Sequence, residues 1–384
     1  MKKVLLVTRG FVPLVGGIEN YMFNIYSRLD QEVIVITPFE KNSLSFEQRG
    51  NLKIFRTSPY LKFFSKRKWP LLPLLFWSLW FFFKFKIKQI HCDQVQSGLI
   101  GYVFYRLFGV PYLIYTYGME IAGGGSEWIK GKVLRNAKVI VTISEYTKSK
   151  LISRFNINPQ KITKVTPGVN IDKFMPHFEG EDIKRQYNLS QRKIILTVGR
   201  LADDGRNKGH DYVIKALPEI LSSVPQATYL IVGQGPDESR LKDIVRELRL
   251  EDRVIFTGYI PDDRLPHFYN IGDVFVMVSR SDNVKRKGKV EGFGIVYLEA
   301  NACGKPVIGG RSGGEEEAVV NGKTGLLINS EDIQQIAKTI TRLLCNTKEA
   351  ERMGKQGRKR VCEEFDWKLK ADEIRKLIDP SENS

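Results

Sequence analysis

Short apolar runs rich in Val and Ile alternate with longer mixed segments along the whole chain. In the first half such runs occupy Lys3–Thr8, Glu32–Thr37, Leu52–Arg56, Tyr112–Thr116 and Lys138–Ile143, with a further strand around Gln89–Cys92. Helices are expected after Gly17, Pro73, Gln96, Gly131 and Ser144. The second half repeats the arrangement, with strands at Lys193–Val198, Thr228–Val232, Arg253–Thr257, Asp273–Val278, Pro306–Ile308 and Gly325–Ile328 and helices between them. Strands that are apolar throughout, rather than alternating, imply parallel sheets covered on both faces. Two such series predict an α/β chain of two doubly wound, Rossmann-like domains, which suits 384 residues. The expected division is 1–170 and 171–365, with 366–384 a C-terminal helix and tail able to cross back to the first domain. The boundary falls in a polar stretch carrying Pro167 and Pro176 and no strong strand.

One segment breaks the pattern. Trp69 to Phe83 reads WPLLPLLFWSLWFFF, fifteen residues without a charge, flanked by Lys66-Arg67-Lys68 and by Lys84, Lys86 and Lys88. A spanning helix needs about 20 apolar residues, and Pro70 and Pro73 lie near the start of this run. Its inner face suits a buried helix. It is apolar nearly all round, however, and tryptophans beside lysines are what an interfacial segment uses. Peripheral docking on a membrane is the expectation, and spanning it is not.

Charge sharpens this reading. The net charge is +17, and residues 1–170 hold 25 Lys+Arg against 9 Asp+Glu, whereas the remainder is nearly balanced at 35 against 34. The first half is therefore expected to meet something anionic, whether lipid, nucleic acid or an acidic substrate. Four cysteines without a C-x-x-C pair make no disulfide framework and suit a reducing compartment. The four histidines lack zinc-ligand spacing. The apolar start Val4-Leu-Leu-Val stops at Thr8-Arg9-Gly10, too short for a signal-peptide core.

In doubly wound folds ligands bind beyond the carboxyl ends of the strands, so the residues just after each strand carry the information. After the first strand, Gly16-Gly17 precede a helix. They can admit an anion to backbone N–H groups, but the pattern is neither G-x-G-x-x-G nor a P-loop, and taken alone it reads as a tight turn. After the first strand of the second half come Val198-Gly199-Arg200-Leu201 and then Lys208-Gly209. Arg200, directly beyond a buried strand, is read as a fork donor for a diphosphate. Lys208 is either a matching point charge or a solvated cation. The most telling stretch is Glu291-Gly-Phe-Gly-Ile-Val-Tyr-Leu-Glu299-Ala300. Gly292, Phe293, Gly294 and Ile295 would offer amides at a helix N-terminus, Glu291 would precede it, and Glu299 would lie two turns in.

Together with Gly304-Lys-Pro-Val, Ser312-Gly-Gly, Glu317-Ala and Asn321-Gly-Lys-Thr-Gly-Leu-Leu, these residues resemble the retaining family 4 glycosyltransferases of GT-B fold, two Rossmann-like domains facing each other across a cleft. The resemblance covers nearly the whole chain in order. Val290-Glu-Gly-Phe-Gly-Ile-Val-Tyr-Leu-Glu-Ala is most similar to the phosphatidylinositol mannoside mannosyltransferases, which use GDP-mannose at the inner membrane surface. The resemblance implies a nucleotide-diphosphate sugar as co-substrate, GDP-mannose or a UDP-sugar, with no resident cofactor and no metal. Arg200 and Lys208 would grip the diphosphate, Glu291 the donor sugar and Glu299 the ribose. The amides of 292–295 would hold sugar or phosphate, backbone near Tyr259 and Ile260 the base, and Gly16-Gly17 would close from the first domain. Many relatives carry a His where this chain has Tyr117, in Thr116-Tyr117-Gly118-Met119-Glu120. A phenol can donate to a sugar hydroxyl but is a poor base near neutral pH. Glu120 is either its substitute or a surface carboxylate, and Lys285–Lys289 either touches anionic ligand or is a solvated loop.

The expected activity is transfer of a hexose to a lipid-linked or saccharide acceptor, in the cytoplasm on the inner face of the membrane. The alternatives are a soluble GT-B enzyme with a small free acceptor and an inactive binding scaffold. Nucleic acid is not an expected partner, because no recognition motif accompanies the charge.

Overall fold

In the computed structural model the described residues are 3–14, 16–40, 43–57, 71–118, 121, 126–177, 180–201, 208–280 and 291–378. The chain divides into two compact units, Met1–Pro167 with Trp367–Ser384, and Gly168–Asp366.

In the first unit the strands are β1 (Val4–Val7), β2 (Val33–Thr37), β3 (Phe46–Arg49), β4 (Leu52–Arg56), β5 (Gln89–Cys92), β6 (Tyr112–Thr116), β7 (Val139–Thr142) and β8 (Ile162–Lys164). They alternate with helices α1 (Gly17–Tyr26), α2 (Leu71–Phe85), α3 (Gly98–Phe108), α4 (Glu127–Asn136) and α5 (Glu145–Phe155). The sheet order is β3-β4-β2-β1-β5-β6-β7-β8, and only β3 runs antiparallel to its neighbour. β1 sits at the point where the winding reverses, its Val4–Val7 in register with Val33–Ile36 on one side and Gln89–Cys92 on the other. Successive side chains serve opposite layers. Leu5, Val7, Ile34, Ile36, Ile90 and Cys92 join Leu74, Phe81, Ile100, Phe104, Val133, Leu134, Leu151 and Phe155 of α2–α5 in one core. On α1 the buried face is Tyr21, Met22, Ile25 and Tyr26. The C-terminal helix, Trp367–Ile378, belongs to this unit, its Trp367 ring standing edge-on to Tyr21 at 5.6 Å.

Two expected helix starts fall elsewhere. The helix placed after Pro73 begins at Leu71, which puts Pro73 in the first turn, where a missing N–H costs nothing. The helix placed after Gly131 begins at Glu127, capped by Ser126 Oγ on the Ile129 amide. Strands β3 and β8 were not anticipated, being a short polar FEQR edge and a three-residue ITK edge with no apolar run to announce them. Trp69, Pro70 and the preceding basic triplet lie outside the described residues. On α2, Leu74, Ser78 and Phe81 are buried while Leu72, Phe76, Trp80 and Phe83 are exposed, so both faces are apolar. Among the described residues no helix is long and apolar enough to cross a membrane.

The second unit comprises α6 (Glu181–Gln186), β9 (Lys193–Val198), α7 (His210–Ser223), β10 (Ala227–Val232), α8 (Glu238–Glu247), β11 (Val254–Phe256), α9 (Leu265–Ile271), β12 (Val274–Met277), α10 (Ile295–Ala302), β13 (Val307–Gly310), α11 (Glu315–Ala318), β14 (Gly325–Ile328), α12 (Ile333–Cys345) and α13 (Thr347–Glu364); the helix at Trp367–Ile378 is α14. All six strands are parallel, in the order β11-β10-β9-β12-β13-β14. Here β9 is the switch strand, so the loops after β9 and β12 emerge side by side. One core joins Ile195, Tyr229, Ile231, Val274 and Val276 to α7 through Val213, Leu217 and Ile220 and to α12 through Ile336, Ile340 and Leu343.

Candidate functional site

The adjacency of β9 and β12 brings two sequence-predicted residues into contact across 83 positions. Lys208 Nζ lies 3.2 Å from Glu291 Oε2, and both side chains are part-buried. Three local features hold the pair. The Lys208 stem rests on Gly199 at the end of β9. Gly209, which caps α7, has φ +77° and packs on the Val278 carbonyl beyond β12; a Cβ there would collide with that oxygen. Asp211 in the first turn of α7 then takes Arg280 at 3.4 Å and Arg240 at 3.5 Å, tying the helix to the chain beyond β12 and to α8.

Glu291 is fixed from behind as well. Its carbonyl accepts from the Gly314 amide at 3.0 Å, and Gly314 approaches Gly292 so closely that no side chain would fit between their backbones. The chain then turns at Gly294 into α10, whose first turn leaves amides without intrahelical acceptors beside the Lys208–Glu291 pair. Tyr297 stands behind this turn, its hydroxyl donating to the Met277 carbonyl. Phe293 turns inward against Phe365, so its side chain is withdrawn from the surface. At the far end of α10, Arg358 donates to the carbonyls of Ala302, Phe174 and Ile171 at 3.0, 2.7 and 3.1 Å, holding the helix to the start of the unit.

Glu299 has different surroundings from Glu291. It is 9% exposed, and its carboxyl group accepts from the Tyr269 hydroxyl on α9 at 2.6 Å. Burial pushes this carboxyl up to about 7; Asp262 adds to the rise, while the Tyr269 hydrogen bond and Lys173 oppose it. Arg200 is exposed at the carboxyl end of β9 and has no ion pair among the described residues. Tyr259 and Ile260 follow β11, where Gly233 and Gly258 bridge the ends of β10 and β11, so they share the carboxyl edge of the sheet with Arg200.

The remaining predicted residues lie in the first unit. Gly16 caps α1 and Gly17 is its first residue, so only Gly16 precedes the helix, and the Glu19 carboxylate folds back over Gly16. Tyr117 is buried, edge-on to Tyr21 at 5.9 Å. Glu120 and Lys285–Lys289 lie outside the described residues. Tyr269 and Glu315 were not singled out from sequence, and Tyr297 and Ser312 stood only within the family pattern, with no role of their own. Tyr269 and Tyr297 read as ordinary core aromatics, and nothing distinguishes Glu315 within three successive glutamates.

A family model for glycosyl transferases group 1 matches residues 179–360, and one for glycosyltransferase family 4 matches residues 15–173. The chain is 30% identical to the GDP-mannose-dependent alpha-(1-6)-phosphatidylinositol monomannoside mannosyltransferase of Mycobacterium tuberculosis, over 96% of this chain and 95% of that one. The chain belongs to the family 4 glycosyltransferases. The enzyme of the same description from Mycolicibacterium smegmatis is 29% identical over 98% of both chains. A solved structure of Anabaena HepE in complex with UDP covers 98% of this glycosyltransferase and 99% of its own chain, with a TM-score of 0.81 at 19% identity. The fold is therefore GT-B. The protein is an enzyme that transfers a sugar from a nucleotide sugar.

The Glu299 environment makes a prediction about stability. Its folded value near 7 exceeds the usual 4.5, so the folded glycosyltransferase holds a proton that the unfolded chain releases, and stability falls as pH rises from about 4.5 to about 7. Glu299→Gln escapes that loss. Its melting temperature should exceed that of wild type at pH 8, reflecting up to about 3 kcal/mol, and the gap should close toward pH 4.5. A gap independent of pH would mean that the carboxyl is not held neutral by burial.

Proposed function

We propose that the protein is a retaining mannosyltransferase that moves mannose from GDP-mannose to a lipid-linked acceptor at a membrane surface, using neither a metal ion nor a resident cofactor. The observation that carries this reading is the Lys208–Glu291 pair set against the N-terminus of α10. The names of the two mycobacterial relatives support the donor and the acceptor class. Lys208 and Arg200 supply positive charge to the diphosphate, which is the work a metal would otherwise do. Glu291 accepts hydrogen bonds from donor-sugar hydroxyls, the amides of 292–295 meet sugar or phosphate oxygens, and Glu299 offers its second oxygen to the ribose. Backbone at Tyr259 and Ile260 takes the base. For Gly16, Gly17 and Tyr117 the proposal rests on the family pattern.

In the proposed step the bond from the anomeric carbon to the phosphate oxygen breaks. A bond to the acceptor hydroxyl oxygen forms on the same face, and the acceptor's proton passes to the departing phosphate. Tyr117 serves as a hydrogen-bond donor rather than as a base. Lys208→Ala and Glu291→Ala should each lower transfer from GDP-mannose at least 100-fold with unchanged melting curves. Wild-type turnover in both would refute these assignments. The anomeric configuration of the product, read by NMR, tests retention.

The membrane side of the proposal rests on the outer surface of α2–α4. Phe76 and Phe83 are 69% and 64% exposed, and Phe83 packs on Phe108 of α3, beside exposed Tyr105 and Leu107. Lys84 lies over the Trp80 ring at 4.3 Å and Lys132 over exposed Trp128 at 3.7 Å. Residues 71–166 carry 13 Lys+Arg against 4 Asp+Glu. Apolar rings rimmed by cations suit an anionic headgroup layer. The protein should therefore co-sediment with vesicles containing anionic lipid at low salt, and Phe76→Ser with Trp80→Ser should weaken binding about tenfold or more. Absence of wild-type binding would remove the lipid-surface reading.

A further inference from the structure

Behind the Glu291 loop lies a carboxyl group that the donor site as described does not use. Glu315 opens α11, and its side chain is fully buried. Ser312 Oγ donates to Oε1 at 2.6 Å, whereas Oε2 is buried without a hydrogen-bond partner among the described residues. The segment that carries it is clamped to the site, because the Gly314 amide donates to the Glu291 carbonyl and Gly314 presses on Gly292. Glu291 and Lys208 act on it from the site side, and the buried Tyr297 phenol acts from α10. At the other end of α11, Arg360 of α13 donates to the carbonyls of Glu317 and Ala318 at 2.9 and 3.0 Å.

An ionised carboxylate with one oxygen buried and unpartnered is costly, and a proton on that oxygen removes the charge. We propose that Glu315 is a positioning residue of the donor site, an uncharged carboxylic acid that fixes the Ser312–Gly314 turn against Glu291, and that its ionisation weakens binding of the nucleoside diphosphate. Burial pushes the Glu315 carboxyl up to about 8, with Glu291 adding to the rise and the Ser312 hydrogen bond and Lys208 opposing it. Near neutral pH the group therefore carries its proton. Once the proton is lost, a second negative charge competes with Glu291 and the diphosphate for Lys208. The inference rests on the reading of this loop cluster as the donor site.

Calorimetric titration with GDP and with UDP between pH 6.5 and 9.5 tests it without needing the acceptor or the sugar. For whichever nucleotide binds, wild-type Kd should rise above pH 8, by up to about tenfold at pH 9. Glu315→Gln should bind like wild type at pH 7 and lose that rise. Ser312→Ala removes a hydrogen bond that favours the ionised form, so it should move the rise to higher pH; if Glu315→Gln does not fold, this shift decides alone. A uniform loss of affinity with an unmoved break would indicate a merely structural role and overturn the proposal. The same alkaline rise in Glu315→Gln as in wild type would overturn it too, with the donor reading intact. Failure of wild type to bind either nucleotide at pH 7 would overturn both.

Discussion

Backbone pressed on backbone is the constraint on which the second unit's site depends. Gly209 against Val278 and Gly314 against Gly292 are contacts that no side chain could share. They bring the loops after β9, β12 and β13 to one place at the carboxyl edge of the sheet. The parallel sheet supplies the coarse placement, since β9 and β12 are neighbours and both end there. The glycine contacts supply the fine placement, which leaves Lys208 and Glu291 within 3.2 Å. Rigid positioning of this kind is what electrostatic stabilisation of a departing anion requires, because the charges must be in place before the reaction begins.

The carboxyl groups around that edge are separated by environment rather than by chemistry. Glu291 is paired with a cation and only part-buried. Glu299, shielded beside Tyr269, and Glu315, enclosed beside Ser312, are both pushed upward by burial, to about 7 and about 8. Two buried glutamates near this edge thus carry raised values, and the nearly balanced charge of this half of the sequence conceals them. The first unit works differently. Its excess of cations is spread along the sequence, with Lys84, Arg106, Lys132 and Lys150 on its helices.

Much of the fold was legible because buried parallel strands are written as uninterrupted apolar runs. Leu52–Arg56, Gln89–Cys92, Tyr112–Thr116, Lys193–Val198 and Gly325–Ile328 have the bounds that the pattern implies. Strands β3 and β8 escaped because edge strands need no apolar face on both sides. Lys208 was read with an alternative open, since a lone lysine in a loop carries no mark of its partner; only the adjacency of β9 and β12 reveals Glu291 beside it. Tyr269 lies thirty residues from the carboxylate it serves. Among Glu315, Glu316 and Glu317 the first is buried and the second exposed, a distinction that tertiary packing makes and residue type does not.

A double-mutant cycle on kcat/KM with GDP-mannose tests most directly whether Lys208 and Glu291 act as one unit on the donor. If they do, the Lys208→Ala, Glu291→Ala double variant should lose little more activity than the worse single variant, because either change already dismantles the pair. Losses that multiply, as for two independent residues, would contradict the central claim that this contact organises the donor site.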